Sequence, residues 1–275
     1  MILNRKIRNC LAGISFSFLV MLLSSLPAHS AQKTESRIVQ RALQTNGRTY
    51  PYEVFVPPGW TAQKKWPVIL FLHGVGHRLE PGESKISVSV AERYISYQHQ
   101  KEAVIVFPRC YMDEYWTQPQ VAAVALQALE AAKLEFHGDA QRTYLAGLSM
   151  GGFGTWYIAA QNPRKFAALV VVCGGIRTPE SVAIPAVSSA GDPYEDTAQR
   201  LRRVPVWIFH GDKDVTIPVS ESRRMADALR AQGARVRYSE YPGVGHNAWD
   251  KAFAEPDFFP WLFAQTLKSE KRSSR

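Results

Sequence analysis

The sequence predicts an α/β fold, a mostly parallel central sheet of about eight strands with helices on both faces and a minimal lid. Three observations predict it. Continuous apolar runs such as Val68 to Leu72 (V-I-L-F-L) and Ala103 to Phe107 lack the alternation of a half-solvated strand, as expected of strands buried on both faces. Segments with helical spacing separate these runs, the pattern of strand–helix–strand crossovers. The chain has 275 residues, 46% hydrophobic and 21% charged, which suits one globular domain with a sizeable core and excludes a disordered or fibrous protein.

The elements follow in order. Arg5, Lys6 and Arg8 precede an apolar segment from Cys10 to Leu26, and small residues at Ala28 and Ser30 follow, so residues 1–30 read as a secretory signal peptide cleaved after Ser30. The alternative is an uncleaved anchor, but serines 15, 17, 24 and 25 dilute a run already near the lower length limit for spanning. Cys10 stands at the start of the apolar segment, far from the cleavage site, and cannot carry a lipid there. Cleavage implies a secreted or periplasmic protein with no membrane attachment. Residues 31–267 then form one domain, and 268–275 a disordered tail.

Within the domain, Ile38 to Leu43 and Tyr52 to Pro57 read as strands of a hairpin turning at Asn46-Gly47. Val68 to Leu72 is a buried strand ending at His73-Gly74-Val75-Gly76. A helix around Val88 to Tyr97 precedes the strand Ala103 to Phe107. Pro119 opens a helix to Phe136, where a first-turn proline is tolerated. The strand Thr143 to Leu148 is followed by a helix to about Ala160, stopped by Asn162-Pro163. Ala167 to Cys173 and Val206 to Phe209 are further buried strands, separated by a Pro- and Ser-rich stretch, Gly174 to Arg203. A helix from Val219 to Gln232, a strand from Arg235 to Tyr241 and a helix through Trp261 to Leu267 complete the domain.

Ligands bind such sheets at the carboxyl ends of the strands, and the residues able to do chemistry fall there. In T-Y-L-A-G-L-S-M-G-G-F-G-T-W, 143–156, Ser149 stands between a strand and a helix with Gly147 and Gly151 two residues either side. This is a nucleophile elbow: so sharp a turn leaves no room for side chains at the flanking glycines, and the serine is held in a strained backbone conformation. The next amide, Met150, opens a helix whose free N–H groups and dipole favour negative charge. Asp214, in H-G-D-K-D-V-T-I-P (210–218), is the carboxylate assigned to orient a base, whereas Asp212 sits tightly in a Gly-Asp turn and is assigned to nearby backbone. His246, in Y-P-G-V-G-H-N (241–247), completes the chain order nucleophile, acid, histidine expected on this kind of sheet. The amide of Val75, with Gly74 as the alternative, is assigned as the second oxyanion donor beside Met150. His73 is read as a structural residue of that loop. His77, Trp116 and Trp249 are candidate substrate contacts.

Other chemistries fit less well. His73 and His77 have i, i+4 spacing, but Gly74 and Gly76 oppose a helix there, and no His-Glu-x-x-His or paired-cysteine pattern exists, so no metal is expected. A dinucleotide site is not expected because Ser149 stands where a phosphate needs open backbone. Removing residues 1–30 takes away three basic residues and leaves 30 Lys and Arg against 24 Asp and Glu, a net of +6. The excess is spread along the chain, which suits a solvated surface compatible with anionic surfaces or polymers, and no dense basic block with interleaved aromatics points to nucleic acid. Cys110 and Cys173 follow strands expected to lie two other strand spacings apart, beyond disulfide reach, and are predicted to be unpaired.

With these residues assembled, the chain resembles the α/β-hydrolase superfamily, and more narrowly exported esterases of the "predicted peptidase", polyhydroxybutyrate-depolymerase-like and feruloyl-esterase-like groups. The resemblance runs from about Tyr52 to Leu267, on L-H-G-V-G (72–76), G-L-S-M-G-G-F-G-T-W (147–156), C-G-G (173–175), H-G-D-K-D-V-T-I-P (210–218) and Y-P-G-V-G-H-N-A-W-D (241–250). It implies Ser149 as nucleophile, Asp214 as acid and His246 as base, in a cofactor-free carboxylesterase acting on a small or polymeric ester, with a monomer favoured. The shortness of the stretch 174–203 leaves little room for a lipase-type lid. Peptidase, acyltransferase and inactive binding module are the alternative functions on this fold.

Overall fold

The computed structural model describes residues 35–45, 47–86, 89–95, 102–178, 184–188 and 191–267. The expected signal peptide, the tail 268–275 and Asn46 lie outside the described residues.

Eight strands form one sheet: β1 (Arg37–Thr45), β2 (Arg48–Val56), β3 (Trp66–Leu72), β4 (Val104–Pro108), β5 (Gly138–Leu148), β6 (Ala168–Val172), β7 (Val206–Gly211) and β8 (Val236–Tyr241). Their spatial order is β1-β2-β4-β3-β5-β6-β7-β8. The β1–β2 and β2–β4 pairs are antiparallel, and every pairing from β4 to β8 is parallel. The hairpin expected at residue 47 is present, with Thr45 opposite Arg48 and Gly47 at a φ of 71°, a conformation glycine adopts without steric cost. Chain order reverses about β3, so the carboxyl ends of β3 and β5 open a crevice between them.

Every residue of β3 is buried, and successive side chains enter opposite cores: Val68, Leu70 and Leu72 one, Ile69 and Phe71 the other. On the first side the sheet is covered by α2 (Pro119–Glu135), α3 (Met150–Gln161), α4 (Pro193–Leu201) and α5 (Ser220–Ala231). On the second side lie α1 (Val90–Ile95), α6 (Trp249–Ala254) and α7 (Phe258–Phe263). Both faces are therefore withdrawn from water, which is why these strands carry continuous apolar runs.

Besides β2 and β3 beginning earlier than expected, at Arg48 and Trp66, the elements differ from expectation in three places. The stretch 174–203 contains a helix, α4, capped by Asp192, whose carboxylate accepts the N–H groups of Tyr194 and Glu195, with Pro193 in the first turn. That pairing of an Asp cap with a following proline is itself a helix-start signal. The last helix is shorter than expected and is preceded by α6, because Pro256 interrupts the run between them. Strand β5 begins five residues before Thr143. Cys110 and Cys173 are both free and buried, with β3 and β5 lying between the strands they follow. No helix among the described residues is long and apolar enough to cross a membrane.

Candidate active site

Strand β5 delivers Ser149 to the crevice and α3 begins at the next residue. Ser149 has φ 52° and ψ −122°, a conformation that L-residues seldom adopt, and it is held there by its N–H donating to Val172 O at 2.9 Å. The flanking glycines are required by close approach: a Cβ on Gly147 would lie 2.1 Å from Gly151 O, and one on Gly151 would lie 2.0 Å from Leu72 O.

Ser149, His246 and Asp214 come together from the ends of three strands. His246 Nε2 lies 2.8 Å from Ser149 Oγ, and His246 Nδ1 lies 2.7 Å from Asp214 Oδ2. The imidazole thus faces a hydroxyl on one side and a carboxylate on the other. Asp214 accepts the N–H groups of Thr216 and Ile217 on Oδ1, each at 2.9 Å. Burial opposes its ionisation, but the hydrogen bonds from His210, His246 and Ile217 outweigh burial and hold its pKa well below the ordinary carboxylate value. Asp212 makes a different contact: its Oδ1 accepts the N–H of Gly243 at 2.7 Å, and Lys213 N donates to Val244 O at 2.9 Å. Asp212 therefore ties the loop after β7 to the loop that carries His246.

His210 was not singled out in the sequence. It is fully buried at the end of β7, with Nε2 at 3.1 Å from Asp214 Oδ2 and 3.0 Å from Ile217 O, and Nδ1 at 2.6 Å from Ser222 Oγ. Two acceptors converge on Nε2, so that nitrogen carries a hydrogen. Its position next to Gly211 in the motif was a signal, since a polar side chain ending a fully buried strand needs a partner. Cys173 was read only for disulfide reach. Its sulfur, an Asp214 oxygen and a His246 nitrogen lie within 4.8 Å of one another, and burial pushes the thiol pKa up, which keeps it protonated.

The loop after β3 turns through a single 3-10 turn, Val75–His77. Val75 and Met150 each stand first in their helical turn, where an N–H has no partner within the turn. Arg78 braces this loop, donating to Val75 O at 3.3 Å and to Met112 O at 2.6 Å. His73 is fully buried with Nδ1 2.7 Å from Gly74 O, and burial holds its pKa well below the ordinary histidine value. A neutral, buried imidazole fits the structural role expected of it.

The aromatic candidates divide. Trp249 reaches the site, its ring edge-on to His246 at 5.8 Å between centroids. His77 packs between the rings of His73 and Tyr94 and is partly exposed beside the loop. Trp116 is a correction: it has no exposed surface to offer a substrate, and its indole N–H donates to His73 O at 3.0 Å, so it braces the loop from within the core. Proximity to a strand end does not say which way a side chain points. Trp116→Phe keeps most of the ring volume and leaves the His73 carbonyl unpaired. The expected loss is about 1–3 kcal/mol of stability, read from the urea midpoint.

A family model described as an esterase matches residues 44–258. The chain belongs to this esterase family. A thermostable esterase of solved structure is 27% identical, with a TM-score of 0.68 over 83% of this chain and 63% of its own. An S-formylglutathione hydrolase of Staphylococcus aureus shares the fold at 18% identity, with a TM-score of 0.65 over 84% of this chain and 98% of its own. Dipeptidyl-peptidase 5 of Porphyromonas endodontalis is 23% identical over 267 residues, covering 84% of this chain and 38% of that protein. The chain spans well under half the length of the curated relatives it matches, 37% of one from Salmonella typhimurium and 13% of one from Arthroderma benhamiae. The chain has the α/β-hydrolase fold expected from its sequence.

Proposed function

We propose that this esterase is an exported serine carboxylesterase that works through an acyl-enzyme on Ser149. The observation that carries the reading is the continuous hydrogen-bonded line from Ser149 Oγ through His246 to Asp214, with the serine at a positive φ. His246 Nε2 removes the hydroxyl proton as Oγ attacks the acyl carbon. The oxyanion that forms is met by the amides of Met150 and Val75, placed before the reaction begins. The imidazolium, stabilised by Asp214, then protonates the departing alkoxide. Water repeats the sequence on the ester formed at Ser149, releasing the acid and restoring the serine. Every proton taken is returned, and no cofactor enters.

A peptidase on the same fold is the second reading, favoured by the similarity to a dipeptidyl-peptidase. The two separate on a panel of p-nitrophenyl esters of increasing acyl length, feruloyl esters and peptide amides, run with the wild type and Ser149→Ala. Ester cleavage by the wild type that Ser149→Ala abolishes is the expected result. Esters cleaved equally by both proteins would remove Ser149 from the reaction, and cleavage of amides alone would make the enzyme a peptidase. Trapping with a fluorophosphonate, expected to add its mass to the peptide containing Ser149, identifies the nucleophile directly.

A further inference from the structure

At the end of the sheet opposite the catalytic residues, where β6, β7 and β8 begin, three adjoining depressions share lining residues and form one groove. The central one has a volume of about 990 Å³. Arg164, Arg202, Arg203 and Arg235 line it, with Lys133 and Arg237 in the flanking two. Among the described residues, no aspartate or glutamate lines any of the three.

The flanking cations, which include Lys165, are partly neutralised, Lys133 and Lys165 by Glu130 and Arg237 by Asp257. In the centre, Arg203 and Arg235 are exposed, and neither side chain has a carboxylate partner among the described residues. Arg202, Arg203 and Arg235 put three guanidinium groups around one concavity, where they repel one another, so the arrangement favours a ligand that brings negative charge. The floor between them is apolar, built from Val204, Pro205 and Leu267, and Trp261 lies partly exposed at one end.

We propose that this groove docks an acidic polysaccharide, its carboxylates paired with the arginines and its sugar rings laid on the apolar floor. A guanidinium presents a planar fork that matches a carboxylate in bidentate geometry. The carbon-bound hydrogens of a pyranose ring face suit the floor and the Trp261 ring. A membrane fits less well, because the exposed large hydrophobics Val75, Met112, Leu134 and Val215 all lie outside the groove and none is available there for insertion. Single-stranded nucleic acid needs a series of stacking rings, and one partly buried tryptophan does not supply it. The six residues of β7 separate the groove from the loop bearing Asp214, about 20 Å at the rise of a strand. A polymer held there stays clear of the triad, so the site tethers the enzyme to it. The inference does not depend on the proposed ester chemistry, because binding is read without hydrolysis.

The test uses the full chain and Arg202→Gln/Arg203→Gln/Arg235→Gln, with binding measured by calorimetry against polygalacturonate. Neutral dextran, duplex DNA and equimolar phosphatidylserine–phosphatidylcholine vesicles serve as comparisons. The wild type is expected to bind polygalacturonate and not dextran. The triple variant is expected to bind about tenfold to a hundredfold more weakly, the range for three exposed ion pairs. Its kcat/KM on a soluble p-nitrophenyl ester stays at the wild-type value, which also shows that it is folded. Absence of binding, equal binding by the triple variant, or equal or tighter binding of DNA or vesicles would each overturn the proposal.

Discussion

Ser149→Ala lowers kcat on a soluble ester by about a million-fold, His246→Ala by the same order, and Asp214→Asn by about ten-thousand-fold. The first two substitutions each remove a group without which no acyl-enzyme forms, so the double variant is expected to be no slower than Ser149→Ala alone. The Asp214→Asn loss has a specific cause in this site. Oδ2 faces N–H donors from His246 and His210, and Oδ1 faces those of Thr216 and Ile217. An asparagine NH2 placed at either position meets donors where acceptors are needed. His246 then loses the partner that fixes its tautomer and orientation. The amide also carries no charge to stabilise the imidazolium. Initial rates over a wide enzyme concentration range measure the four variants and the wild type. A Ser149→Ala enzyme within tenfold of the wild type would remove the serine from the mechanism.

The same hydrogen bonds set a pH dependence. The Asp214 pKa is held below the ordinary carboxylate value of 3.8, so the unfolded chain takes up the proton at a higher pH than the native enzyme does. Asp214 therefore contributes stability that is fully present above the unfolded value and is lost as pH falls through the lower native one. Its charge persists through the range in which an imidazole normally titrates. Loss of activity on mild acidification is consequently not expected to report protonation of Asp214.

The legible part of the site was the part written as local backbone geometry. A turn that excludes side chains demands glycine, and a loop that carries a base after the last strand is recognised by chain order, so Ser149, Asp214 and His246 were found in sequence and lie in contact in space. Continuous apolar runs marked the inner strands because both faces of the sheet are covered. What escaped depends on side-chain direction and on contacts between distant segments. Trp116 points into the core to reach the His73 carbonyl, 43 residues earlier. His210 approaches Asp214 through the fold of a loop, and Cys173 meets the triad only because β6 lies between β5 and β7. The arginine groove is of this kind as well, since its residues come from four separate segments and form no basic run in the chain.

Alanine at Gly147 or Gly151 is expected to be the most damaging single-methyl change in the domain. The Cβ at Gly151 would sit 2.0 Å from Leu72 O and 2.5 Å from Leu72 C, and the one at Gly147 would sit 2.1 Å from Gly151 O and 2.6 Å from Thr155 Oγ1. The colliding atoms are mostly backbone of β3 and α3, which no side-chain rotation can move aside. Relief requires α3 to withdraw from the sheet, breaking its contact with β3 and carrying the Met150 amide away from Ser149. The expected loss is more than about 4 kcal/mol, at the extreme of single substitutions. A domain of ordinary stability then folds poorly or not at all. Gly191→Ala is the matched control, because a Cβ there meets nothing within 4 Å. It should shift stability by no more than about 0.5 kcal/mol. Soluble yield and urea midpoints compare the three variants, and a Gly151→Ala enzyme with the wild-type midpoint would show that β3 and α3 do not approach this closely. Damage at the elbow also separates folding from chemistry. Ser149→Ala is expected to keep the wild-type midpoint while losing activity, and Gly151→Ala to lose both together.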